Sequence, residues 1–153
     1  MKSALCVLTL AILALSPALG GADEKLTYYV QLIHGNDEDK PAAPSARLVG
    51  PKLSNSLHSI FRWKNYWEIS RQEVVVVVGA RTNVVLNKER TVEIDLSQTK
   101  KRKVTAISRG TPVCTSTQPL GELMTIIGAD RDTNTAWFVV VRRDKPPSRD
   151  GSP

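Results

Sequence analysis

Three stretches of this sequence bring together side chains able to do chemistry. The first is FRWKNYWEI, Phe61 to Ile69, with four aromatics in nine residues and the cations Arg62 and Lys64 between them. Flat indole faces stack on the apolar faces of sugar rings, while neighbouring Arg, Lys and Asn side chains bond hydroxyls. Trp63 and Trp67 are therefore a candidate platform for polysaccharide or peptide. Strand alternation divides the stretch differently, because successive side chains point to opposite faces. Phe61, Trp63, Asn65, Trp67 and Ile69 form one face, apolar except for Asn65. Arg62, Lys64, Tyr66 and Glu68 form the other, charged except for the tyrosine. The expectation is that the tryptophans build a core and that Arg62, Lys64 and Tyr66 face outward as contact residues. A helical reading also exists, since Leu57, Ile60, Trp63 and Trp67 fall at helical spacing. The aromatic and β-branched composition favours the strand.

The second stretch, TKKRKV, sets Lys100, Lys101, Arg102 and Lys103 side by side between two strand patterns. Four adjacent cations at a hairpin end cannot pair among themselves and project a positive field. They are candidate contacts for anionic polymers, although charges at such a position also discourage edge-to-edge sheet pairing. No aromatic interleaves them to stack nucleobases, so nucleic acid is not expected as a partner.

The third, ADRDTNTAW, places Asp130, Asp132 and Asn134 at alternate positions, like the oxygen ligands that open a calcium loop. The pattern then fails, with Thr135 at the sixth position instead of glycine and Val141 at the twelfth instead of glutamate. A polar hairpin turn is the better reading. A nucleophilic pair can be drawn from Cys114 with His34 or His58, but TPVCTST resembles neither a helix N-terminus nor a tight elbow. A small thiol packed in a core is expected there. No glycine-rich phosphate loop is present and no metal or cofactor is implied. The expectation is a chain without catalytic activity.

The elements that position these residues are strands. Leu26 to His34, Glu73 to Val78, Asn83 to Leu86, Thr91 to Leu96, Lys103 to Ser108, Val113 to Thr117, Leu123 to Ile127 and Ala136 to Arg143 join the aromatic stretch as short extended segments separated by turn residues. Gly35 to Lys52 reads as a long loop carrying the acidic cluster Asp37, Glu38 and Asp39. Leu53 to Ser59 reads as a short helical turn. Glu73 to Val78 is expected as a central strand, because an exposed run of valines invites aggregation. About nine strands near ten-residue spacing predict an all-β, antiparallel β-sandwich of immunoglobulin-like architecture, with a small β-barrel as the alternative.

The N-terminus sets the compartment. A positive start, an uncharged apolar run from Ala4 to Leu15, and small residues from Ala18 to Ala22 follow the layout of a secretory signal peptide. Cleavage near Gly20 or Ala22 leaves a single domain over residues 23–143, with a polar tail at 144–153 expected to be disordered. Loss of Lys2 lowers the formal charge from +6 to about +5. Cys114 is then the only cysteine, so stability must come from a hydrophobic core. With no later apolar run of membrane length, the expectation is a periplasmic or secreted bacterial protein without a stable membrane anchor. It would act as an interaction or structural module at the envelope. Its expected partners are anionic envelope polymers, polysaccharide or another exported protein.

Overall fold

A computed structural model describes residues 23–41, 43–131 and 134–148. The expected signal peptide and the end of the tail lie outside them. The chain forms β1 (Lys25–Asn36), β2 (Arg47–Leu48), α1 (Pro51–His58), β3 (Asn65–Val77), β4 (Arg81–Val85), β5 (Arg90–Asp95), β6 (Lys101–Ser108), β7 (Thr111–Pro119), β8 (Met124–Arg131) and β9 (Thr135–Arg142). All strand pairs are antiparallel. They make a five-stranded sheet in the order β2-β3-β1-β9-β8 and a four-stranded sheet in the order β4-β5-β6-β7. The antiparallel sandwich that the strand spacing predicts is therefore the fold.

Leaving aside β2, each strand lies beside its predecessor around the molecule, and β9 returns to pair with β1. This is an up-and-down order. The Greek-key crossings of an immunoglobulin domain are not part of it. The ladder is interrupted between β3 and β4 and between β7 and β8, which leaves two sheets instead of a closed barrel. Two-residue turns suit such an order. Arg109 and Gly110, joining β6 to β7, both have positive φ (49° and 80°), the geometry whose twist matches paired strands.

Alternation along β1 shows how the layers arise. Leu26, Tyr28, Val30 and Leu32 point between the sheets and meet Val92, Ile94 and Val104 of the other sheet. Each such side chain contributes about 1.5–3 kcal/mol on burial. The opposite face of β1 is covered as well. Ile33 packs with Leu53 and Leu57 of α1, with Trp63, and with Phe138 and Val140 of β9. The predicted helical turn at 53–59 is thus a full helix whose apolar stripe roofs the outer face of the five-stranded sheet.

Two expectations about β3 require correction. The aromatic stretch and the valine run are one strand, bent by an irregularity where Ile69 falls between the partners of Leu32 and Ile33. The valine run is also not central. Beyond Glu68, β3 is paired on only one side, because β2 reaches only Glu68 and Trp67. Val76 is buried between the sheets, whereas Val75 is 54% exposed. The strand order requires this, because β3 is where the chain turns from one sheet into the other.

Candidate functional site

The two tryptophans do not form a platform. Trp67 points between the sheets, 8% exposed, and its Nε1 donates to Asn36 Oδ1 at 3.0 Å. Trp63, 7% exposed, precedes the strand and packs beneath α1 against the backbone of Gly35. They lie on opposite sides of the five-stranded sheet because β3 begins only at Asn65, so the expected odd-numbered face does not extend back to Trp63. Tyr66 corrects the other half of that expectation. It lies on the outer face of its sheet, yet α1 covers it to 1% exposure, and loss of solvent pushes its hydroxyl pKa up. Arg62 and Lys64 remain exposed. Lys64 Nζ pairs with Asp39 Oδ1 at 2.6 Å, which raises the lysine pKa and lowers that of the aspartate. The acidic loop is tied to this segment further, since Lys64 N donates to Asp37 Oδ1 and Asn65 Nδ2 to the Glu38 carbonyl.

The basic run is also divided by alternation. Lys100 and Lys101 are exposed and Lys103 is half-buried, but Arg102 points between the sheets with no exposed surface. Its guanidinium lies 5.3 Å from the Tyr28 ring centre and donates to the Glu122 carbonyl and to Thr125 Oγ1. Arg102 is therefore a structural cation, removed from the contact surface predicted for it. Cys114 is half-buried on β7 beside the main core. His34 stacks on Trp137 at 4.5 Å between centroids, and His58 meets the edge of Tyr66, so neither faces the thiol. Of the calcium-like triplet, Asn134 is exposed, while Asp132 and the side chain of Asp130 lie outside the described residues. Among the described residues no group of three or more His, Cys, Asp or Glu side chains could hold a metal ion.

The arrangement that does converge lies on the outer face of the five-stranded sheet, beside α1. Antiparallel register sets Gln31 of β1 across from Arg71 of β3, and Glu68 of β3 across from Arg47 of β2. Arg142 of β9 joins them on the same face, because it pairs with Tyr29, two residues from Gln31. Gln31 and Glu68 are 2% and 3% exposed. Glu68 Oε2 accepts from Gln31 Nε2 and from Arg71 Nε and Nη2, the last two at 3.1 and 2.8 Å. Gln31 Oε1 is buried without a hydrogen-bond partner.

The chain after β9 completes this site. Arg142, 3% exposed, donates from Nε to Asp144 Oδ1 at 2.9 Å and from Nη2 to Asp144 Oδ2. Lys52 of α1 adds a contact to the same carboxylate at 3.1 Å. The two cations hold the Asp144 carboxyl well below the usual carboxylate range, the arginine being the larger cause. Arg71 Nη1 donates to the Pro147 carbonyl at 2.8 Å. Residues 144–148 are thus docked by several polar contacts, against the expectation of a disordered tail from Asp144 onward. The cleft enclosed by sheet, helix and tail has a volume of about 430 Å3, within the ordinary range for small-molecule sites. Five cations (Arg47, Lys52, Arg71, Arg142 and Lys145) and two carboxylates (Glu68 and Asp144) line it, an excess of three positive charges. Chemically, such a wall has the charge to hold and orient an anion.

Sequence reading missed this cleft, apart from noting Glu68. One local signal was available: Gln31 interrupts the apolar run YYVQLI, and a polar side chain so placed needs a buried partner. Compared with protein-family models, curated proteins and solved structures, the chain matches none of them. The fold itself places it among the all-antiparallel β-sandwiches. Among the described residues no helix is long and apolar enough to cross a membrane.

Proposed function

We propose that this chain is an exported, non-enzymatic binding module of the cell envelope, whose contact surface is the cationic cleft between α1, the five-stranded sheet and the tail. The observation that carries this reading is the cleft wall, where buried and exposed cations outnumber carboxylates around a volume of ligand size. Export rests on the secretory layout of residues 1–22. In that compartment the abundant anionic partners are acidic polysaccharides, wall polymers and lipid headgroups. Cation-lined concave sites concentrate such ligands through their field.

The test is co-sedimentation of the protein, expressed from its full-length sequence, with insoluble envelope material. Wild type is expected in the pellet at low salt, and the Arg47→Glu/Lys52→Glu double variant in the supernatant. Both residues are exposed enough to change without disturbing the core. Equal sedimentation of the two proteins would remove the cleft from the proposal.

A further inference from the structure

The tail forms one wall of the cleft and sets its own carboxylate against the cleft's cations, which bears on the ligand class of the binding module proposed above. We propose that Asp144 is a built-in stand-in for a ligand carboxylate, and that the cleft takes a small hydroxylated carboxylate of the uronic-acid class in exchange for the tail.

Four observations carry it. First, Arg142 grips both oxygens of Asp144 through Nε and Nη2, the planar fork that guanidinium offers to carboxylates, and Lys52 closes the third side. The site therefore already recognises a carboxylate, supplied by the chain itself. Second, Gln31 is 98% buried by its 2% exposure, it lines the cleft, and its Oε1 has no partner. A buried acceptor of this kind calls for a donor, and a sugar hydroxyl supplies one. Third, the N-terminus of α1 opens on the same cleft at Gly50, which offers no side-chain cap, so the positive end of the helix faces the ligand volume. Fourth, two of the tail's contacts lie at the rim, where the Lys52 side chain is 72% exposed and Pro147 is exposed. Exposed ion pairs of that kind add little to stability. The buried anchors are Pro146 and Arg142, and a ligand carboxylate would keep Arg142 paired.

Anion and hydroxyl together define the ligand. Acetate has no hydroxyl donor, and glucose has no carboxylate. Glucuronate has both.

The experiment titrates glucuronate, glucose and inorganic phosphate separately into the full-length protein and its Asp144→Ala variant, by calorimetry and by the Ser148 amide resonance. Glucuronate is expected to bind Asp144→Ala at least tenfold more tightly than wild type, because it no longer competes with the tail. In wild type, saturation should release the Ser148 resonance. Adding Lys52→Ala should weaken the variant's binding several-fold. If Asp144→Ala proves too unstable to titrate because Arg142 is left buried without its carboxylate, glucuronate should raise its Tm well above any rise in wild type. Equal affinity of the two proteins for glucuronate, equal responses to glucose, or tighter saturation by phosphate each overturn the proposal. Failure here with Arg47- and Lys52-dependent sedimentation intact would reject the ligand class alone. Loss of that dependence would remove the cleft as the module's contact surface.

Discussion

At the scale of single residues, Gly35 and Glu68 show two ways in which a position becomes irreplaceable. A Cβ on Gly35 would stand 2.8 Å from Trp63 Cδ1 and 3.0 Å from Phe138 Cε2, so the glycine is what lets the indole lie against β1. Gly35→Ala is expected to lose about 1–3 kcal/mol through overpacking, read as a lower urea midpoint at unchanged slope. Glu68 is an acceptor for both Gln31 and Arg71 in a place with little solvent. Glu68→Gln should cost about 3 kcal/mol, since breaking a buried pair leaves a charge without its counter-ion. Chemical denaturation measures it, and a loss below about 0.5 kcal/mol, the level of ordinary surface changes, would contradict the geometry. Asp144 carries the pH dependence of tail docking. Its pKa is lowered in the folded chain, so its contribution is fully present above the ordinary carboxylate value near 4 and is lost as pH falls through the lowered one. The Ser148 amide should therefore stay in its docked position from pH 8 to about pH 4 and move only in stronger acid. Asp144→Asn should abolish that acid transition.

At the scale of elements, turn chemistry and edges dominate. The β6–β7 turn requires Arg109 at φ 49°, a region that few residues other than glycine and asparagine favour. Arg109→Asn is expected to stabilise the protein by about 0.5 kcal/mol and raise Tm by a few degrees, since Asn-Gly is the preferred pair for this turn. Its side-chain contacts to Glu89, at 3.3 Å or longer and exposed, offer little to lose, and the 2.7 Å bond from Arg109 N to the Glu89 carbonyl is kept by any residue but proline. The opposite situation holds at the β5–β6 turn. There Asp95 accepts from Ser97 N and pairs with Arg81 Nε at 3.0 Å, which anchors the hairpin that carries Lys100 and Lys101. Most strands were legible as elements because period-two alternation is local. Thr91 to Leu96 reads that way in sequence and buries Val92, Ile94 and Leu96 as read. The start of β3 was not legible. Phe61 to Asn65 obeys strand alternation equally well, yet α1 ends beside it and the chain needs those residues to climb back to the sheet.

At the scale of the whole molecule, the sandwich is closed by β1 pairing with β9, the strands nearest the two ends of the described chain. Opening either end therefore disturbs the centre of the five-stranded sheet. Limited proteolysis is expected to cut first in the loop at 37–46, and only later within β1, β3 or β9. An early cut within Val74 to Val77 would mean that the one-sided pairing of β3 leaves it open. The cationic cleft also exists only at this scale. Its contacts join positions far apart in the chain: Gln31 with Glu68 across 37 residues, Arg71 with Pro147 across 76, and Lys52 with Asp144 across 92.

By itself the sequence determined the all-β class, the approximate strand positions and the inward sets of most strands, because each follows from neighbouring side chains and turn residues. Tertiary structure alone decided that Trp63 and Trp67 lie on opposite sides of the five-stranded sheet, that Tyr66 and Arg102 are covered, and that residues 144–148 fold back onto the sheet. Alternation separates two faces but does not say what will cover each of them. Here a helix, a second sheet and the tail cover them, and they come from distant parts of the chain.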